Sequence, residues 1–113
     1  MDGLLSLLSL FGEKDEVARD ETGDVIVDTC YRSDTGMFET GVSHPQYNSG
    51  KWIIVEQYEA REQARAGHDK WLAVMTADEL PDTLVDVSTA WVAGMLRELE
   101  PDLLTFHRNE KAE

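Results

Sequence analysis

Residues 51–58 (KWIIVEQY) and 59–75 (EAREQARAGHDKWLAVM) decide how this chain folds. The first stretch is short and dense in β-branched and aromatic side chains, the composition of a strand. In the second, Ala60, Ala64, Gly67, His68, Trp71, Leu72 and Met75 recur at helical spacing and form one face, with Arg61, Glu62, Arg65, Asp69 and Lys70 opposite. Glu62 precedes Arg65 in the order that supports a helix. The small residues at 64 and 67 let such a helix lie close to a sheet, while Trp71 fills space farther along.

Two more strands precede this pair. Residues 24–32 (DVIVDTCYR) place Val25, Val27, Thr29 and Tyr31 on one face, and residues 37–43 place Phe38, Thr40 and Val42 on one face. Asp34, Thr35 and Gly36 supply turn chemistry between them. Residues 44–50 (HPQYNSG) make a second turn, because Pro45 cannot donate to a ladder and Asn48 and Gly50 tolerate positive φ. The expected architecture is α+β: a three-stranded antiparallel meander packed against helices, with residues 83–87 (TLVDV) either a short fourth strand or an extended linker. Ser88 is placed to cap a final helix that Pro101 ends, and its Trp91, Met95, Leu96 and Leu99 share a stripe.

The opening, MDGLLSLLSLFGE, adds a separate element. Leu4, Leu5, Leu7, Leu8, Leu10 and Phe11 cover more than half of a helix circumference, and Gly12 is placed to end it. So apolar a helix suggests docking on a partner protein or on a second copy of the chain, or folding back to complete the core of its own domain. The expected domain organisation is an apolar docking helix over 1–12, an acidic linker over 13–23, a single α+β domain over 24–101 and a tail over 102–113, where Leu103, Leu104 and Phe106 could dock. The apolar run 4–11 falls far short of the ~20 residues that span a bilayer, so no membrane span is expected.

In 113 residues, 23 acids stand against 10 bases, a net charge of −13. Residues 12–24 carry six acids and two bases, and residues 76–102 carry seven acids and only Arg97. Such a field repels nucleic acid and anionic membranes and favours basic partners, although solubility alone also explains it. A lone cysteine, Cys30, permits no internal disulfide.

Motifs that carry chemistry are scarce. There is no glycine-rich phosphate loop and no basic stripe. A Cys30–His44–His68 zinc site completed by Asp28 is conceivable, but the spacing matches no metal pattern, and no metal or cofactor is expected. Cys30 makes a poor nucleophile beside Asp28, whose charge opposes the thiolate. Glu39 and Glu56 lie on adjacent strands and could pair for acid/base work, though residues of a solvated sheet face look the same. No catalytic residue is assigned. Trp52, Tyr58 and Trp71 fall where the core is expected.

The stretch 34–75 carries three motifs in order: Glu39, Thr40, Gly41, His44, Pro45, Tyr47, Asn48, Gly50 and Trp52, then Glu56 and Tyr58, then Gly67, His68 and Trp71. In this it resembles small proteins of tailed bacteriophages and prophages with an E-T-G-x-x-H-P-x-Y-N-x-G-x-W block, followed by I-V-E-x-Y and a G-H-x-x-W helix. The resemblance implies a phage origin and host cytoplasm as the location, with incorporation into the virion for an assembly component. It implies non-enzymatic protein–protein binding as a capsid, portal or tail accessory. An acidic nucleic-acid mimic that inhibits a host defence or transcription protein is the alternative, and a small-molecule pocket under the helix, built on His44, Tyr47 and His68, is the third reading.

Overall fold

The computed structural model describes residues 14–109, and the chain is α+β as expected. The apolar helix expected over 1–12, with its docking residues Leu4, Leu5, Leu7, Leu8, Leu10 and Phe11, lies outside the described residues.

Four strands form one antiparallel sheet in chain order: β1 (Lys14–Thr22), β2 (Val25–Arg32), β3 (Met37–Ser43) and β4 (Ile53–Tyr58). The meander thus gains a strand where an acidic linker was expected. Residues 14–22 (KDEVARDET) show no apolar alternation, because β1 is an edge strand whose charged side chains suit solvent. Pairing with β2 makes it a strand: Lys14 lies opposite Arg32 and Thr22 opposite Val25, with a bulge between Glu16 and Ala18. Arg19 Nη1 binds Asp28 Oδ2 at 2.7 Å, and Asp15 takes a 2.9 Å ion pair from Arg61.

The helix α1 (Arg61–Met75) crosses one face of the sheet and buries Ala64, Gly67, His68 and Met75, members of the face its spacing defines. Val27, Val42, Tyr47, Ile53, Val55, Met75 and Leu84 form the buried core. Trp71, Leu72, Val74 and Phe106 pack against it. Trp52 is 46% exposed, a correction to its expected place in the core. The side chains of Ile54 and Trp52 flank Gly41 on the sheet's other face, with which α1 makes no layer.

The turn after β3 is tighter than Asn48 and Gly50 alone suggest. Asn48, Ser49 and Gly50 all have positive φ, at 50°, 54° and 80°. The Tyr47 hydroxyl donates to the Pro81 carbonyl, which ties this turn to the chain beyond α1.

Residues 83–87 do not extend the main sheet. Thr83–Val85 forms β5, which pairs with β6 (Thr105–His107) in a second, two-stranded sheet. The tail expected from 102 onward is therefore structured through Asn109. Leu104 is buried, Leu103 is exposed, and the Asn109 amide donates to Gln46 O at 2.8 Å. Between β5 and β6 lies α2 (Trp91–Leu99), which begins later than a cap at Ser88 would place it: Ala90 holds the N-cap position without a side-chain cap, and Ser88 Oγ accepts the N–H of Ala90 itself at 3.2 Å. Asp86 Oδ2 accepts the Ile54 N–H at 3.1 Å, so this segment covers part of the free edge of β4. Among the described residues no helix is long and apolar enough to cross a membrane.

Candidate functional site

The face of the sheet under α1 carries a run of polar side chains where apolar ones would be usual. Thr29 on β2 and Thr40 on β3 are opposite each other in register, both point under the helix, and both are fully buried. Their hydroxyl oxygens are 2.6 Å apart. His68, also fully buried, brings Nδ1 to 2.8 Å from Thr29 Oγ1 and Nε2 to 2.7 Å from Asp20 Oδ2 on β1. In the other direction Thr40 Oγ1 lies 3.1 Å from the Tyr58 hydroxyl, which donates to Glu56 Oε1 at 3.0 Å. Lys70 Nζ and Trp71 Nε1 donate to the same oxygen at 2.6 and 2.8 Å. One hydrogen-bonded array thus runs across all four strands and takes in His68, Lys70 and Trp71 of α1.

Charge and burial shape this array. Burial raises the Glu56 carboxyl, but the donors Lys70, Trp71 and Tyr58 outweigh it and hold the group below the usual carboxylate range. Glu56 is therefore an acceptor at neutral pH. The Tyr58 phenol is pushed well up by burial and by the adjacent Glu56 carboxylate, so it keeps its proton. Beside Tyr58 and Glu56 opens a cleft of about 650 Å³, lined also by Met37, Gln63, Gly67 and Lys70.

Asp20, His68 and Thr29 copy the order acid–imidazole–hydroxyl of a nucleophilic triad. The resemblance stops at access. Thr29 has no exposed surface and its oxygen is engaged by Thr40, so no substrate carbonyl reaches it.

The residues nominated for a pocket do not converge. His44 and Tyr47 meet edge to face at 5.5 Å, with His44 Nδ1 accepting the Gln46 N–H at 3.1 Å. Burial holds the His44 imidazole below its ordinary range, partly offset by a backbone hydrogen bond with Met75. His68 instead belongs to the array, and none of the three lines either described cleft.

The zinc set is likewise divided. Cys30 and Asp28 lie on the face opposite His68, where Glu16 joins them with ligand atoms within 4.8 Å of one another. Arg19 pairs with Asp28 there, and Arg32 lines the same cleft of about 260 Å³. Glu39 and Glu56 also face opposite ways. A bulge between Thr40 and Gly41 sets Glu39 against Gln57 and Thr40 against Glu56, so the two carboxylates do not pair. Burial pushes the Glu39 carboxyl above its ordinary range.

Sequence reasoning did not nominate Asp20, Thr29 or Thr40. A signal existed for the last two: threonines on the inward faces of two strands, opposite a histidine on the inward stripe of a helix. Asp20 gave none, since nothing marked β1 as a strand.

A second surface is apolar. Met95 and Leu99 lie four residues apart on α2 and are 49% and 72% exposed, and Leu103 just beyond is 58% exposed. Comparison of the chain with protein-family models, with curated proteins and with solved structures gives no match.

Proposed function

We propose that this protein works by binding another protein chain rather than by catalysis, as an accessory component of a larger assembly. The observation that carries the reading is the exposed apolar pair Met95 and Leu99, with Leu103 beyond, on a chain of net charge −13. Large apolar side chains grouped on a helix in so acidic a chain are costly to leave in water, at about 25 cal/mol per Å². The apolar run of Leu4, Leu5, Leu7, Leu8, Leu10 and Phe11 in the sequence is of the same chemistry. The resemblance to tailed-phage proteins supports a phage structural protein, or a second copy of this chain, as the partner.

The experiment uses the full chain, a Met95→Glu/Leu99→Glu variant and a chain lacking residues 1–12. Each is tested for self-association by sedimentation and for partner capture from infected cells, at low and at physiological salt. Hydrophobic docking predicts association that changes little with salt and is lost in one or both altered chains. Binding that falls steeply with salt and survives both changes would instead support the acidic mimic, since screening acts beyond ~8–10 Å.

A further inference from the structure

We propose that the buried array between Asp20 and Glu56 is a proton-binding site, holding one proton more than its neutral side chains supply, with His68 doubly protonated. The inference rests on counting. The array has five contacts: Asp20–His68, His68–Thr29, Thr29–Thr40, Thr40–Tyr58 and Tyr58–Glu56. Each needs one hydrogen between its two heavy atoms, and the carboxylates at both ends can only accept. A neutral imidazole contributes one hydrogen, and Thr29, Thr40 and Tyr58 contribute one each. Four hydrogens cannot fill five contacts, so a neutral array leaves one contact with two lone pairs facing each other, and even at the half-exposed Asp20 end one of the two belongs to the fully buried imidazole.

The shortage falls in a place where it is expensive. Thr29, Thr40 and His68 are fully buried, and the described residues offer their side chains no donor beyond the array itself. A doubly protonated ring removes the shortage. Nε2–H then donates to Asp20 and Nδ1–H to Thr29, and the hydroxyls of Thr29, Thr40 and Tyr58 donate in turn toward Glu56. Every hydroxyl donates once and accepts once, all in one direction.

The charges around the ring agree with this. From β1, Asp20 faces it at 2.7 Å. From β2 and β3 come only the hydroxyls of Thr29 and Thr40, and from β4 the Tyr58 phenol with Glu56 behind it. On α1 itself, Arg65 and Asp69 are exposed and paired with each other at 3.6 Å, while Lys70 is held by Glu56 at 2.6 Å. Arg19 is turned to the other face of the sheet, on Asp28. Among the described residues, the one charge in contact with the imidazole is therefore negative. Loss of the proton empties one contact and reverses hydroxyls, which links the β1 edge to the cleft beside Tyr58.

The test is long-range ¹H–¹⁵N spectroscopy of the full chain labelled at histidine, at neutral pH. The expected result is a His68 pattern with both ring nitrogens protonated. Tyr58→Phe deletes one hydroxyl and two contacts, leaving three contacts for three hydrogens, so His68 there becomes singly protonated on Nε2. Thr40→Val, nearly the same shape, splits the array into two complete pieces and predicts the same change should the first variant not fold. A singly protonated His68 in the wild type, or an identical pattern in wild type and either folded variant, overturns the proposal.

Discussion

A methyl group at Gly67 would lie 2.0 Å from the Tyr58 hydroxyl and 2.3 and 2.4 Å from its Cζ and Cε1. The absence of a side chain at 67 is what lets the phenol pass under α1 and reach both Thr40 and Glu56. Gly67→Ala should therefore destabilise the fold by about 1–3 kcal/mol, although alanine is intrinsically the better helix former. Urea unfolding measures this. Tyr58→Phe should not rescue the variant, because the ring carbons clash as well as the oxygen, whereas Tyr58→Ala should recover part of the loss. Rescue by phenylalanine would show that the hydroxyl alone sets the spacing.

Glu39 gives a pH dependence of definite sign. Burial raises its carboxyl in the folded protein, so the native state holds that proton more readily than the unfolded chain. Stability from this group is full in acid and is lost as pH rises from about 4.3, the unfolded glutamate value, through the raised folded value. Glu39→Gln should match the wild type in acid and exceed it at neutral pH by about 1 kcal/mol. Unfolding of both proteins across that pH range makes the comparison. A variant weaker than wild type at neutral pH would mean that Arg32 and Gln57 favour the carboxylate more than burial opposes it.

The two N-terminal boundaries behave differently. Removing residues 1–12 should change stability by no more than ~1 kcal/mol. Removing 1–23 takes away β1, strips Arg19 from buried Asp28 and Asp20 from buried His68, and bares the edge of β2. A loss of about 3 kcal/mol or more, or aggregation through the bared edge, is expected. Equal melting of the two truncations would show β1 to be dispensable.

Local pattern made β2, β3, β4 and α1 legible. Val27 and Thr29, Thr40 and Val42, and the stripe from Ala64 to Met75 recur at the period of their own element because they share the faces packed between the sheet and α1, and the side chains of one face repeat with the backbone period. The turn at Asp34–Gly36 was legible for a similar reason, since Gly36 adopts a φ of 70° that few other residues accept.

Elements without a buried face of their own left no such record. Residues 14–22 and 105–107 are strands because β2 and β5 offer them an edge, and a partner distant in sequence is invisible to local pattern.

The same division runs through the site. The amino-acid sequence by itself determined that a histidine and two threonines would lie on inward-facing positions, because side-chain period follows from backbone geometry. Tertiary structure alone decided that Asp20 meets His68 across 48 residues of chain and that the bulge in the β3–β4 pairing at Thr40/Gly41 turns Glu56 and Tyr58 toward α1. Register and strand pairing depend on how the whole sheet closes, and a one-residue shift sends a side chain to the opposite face.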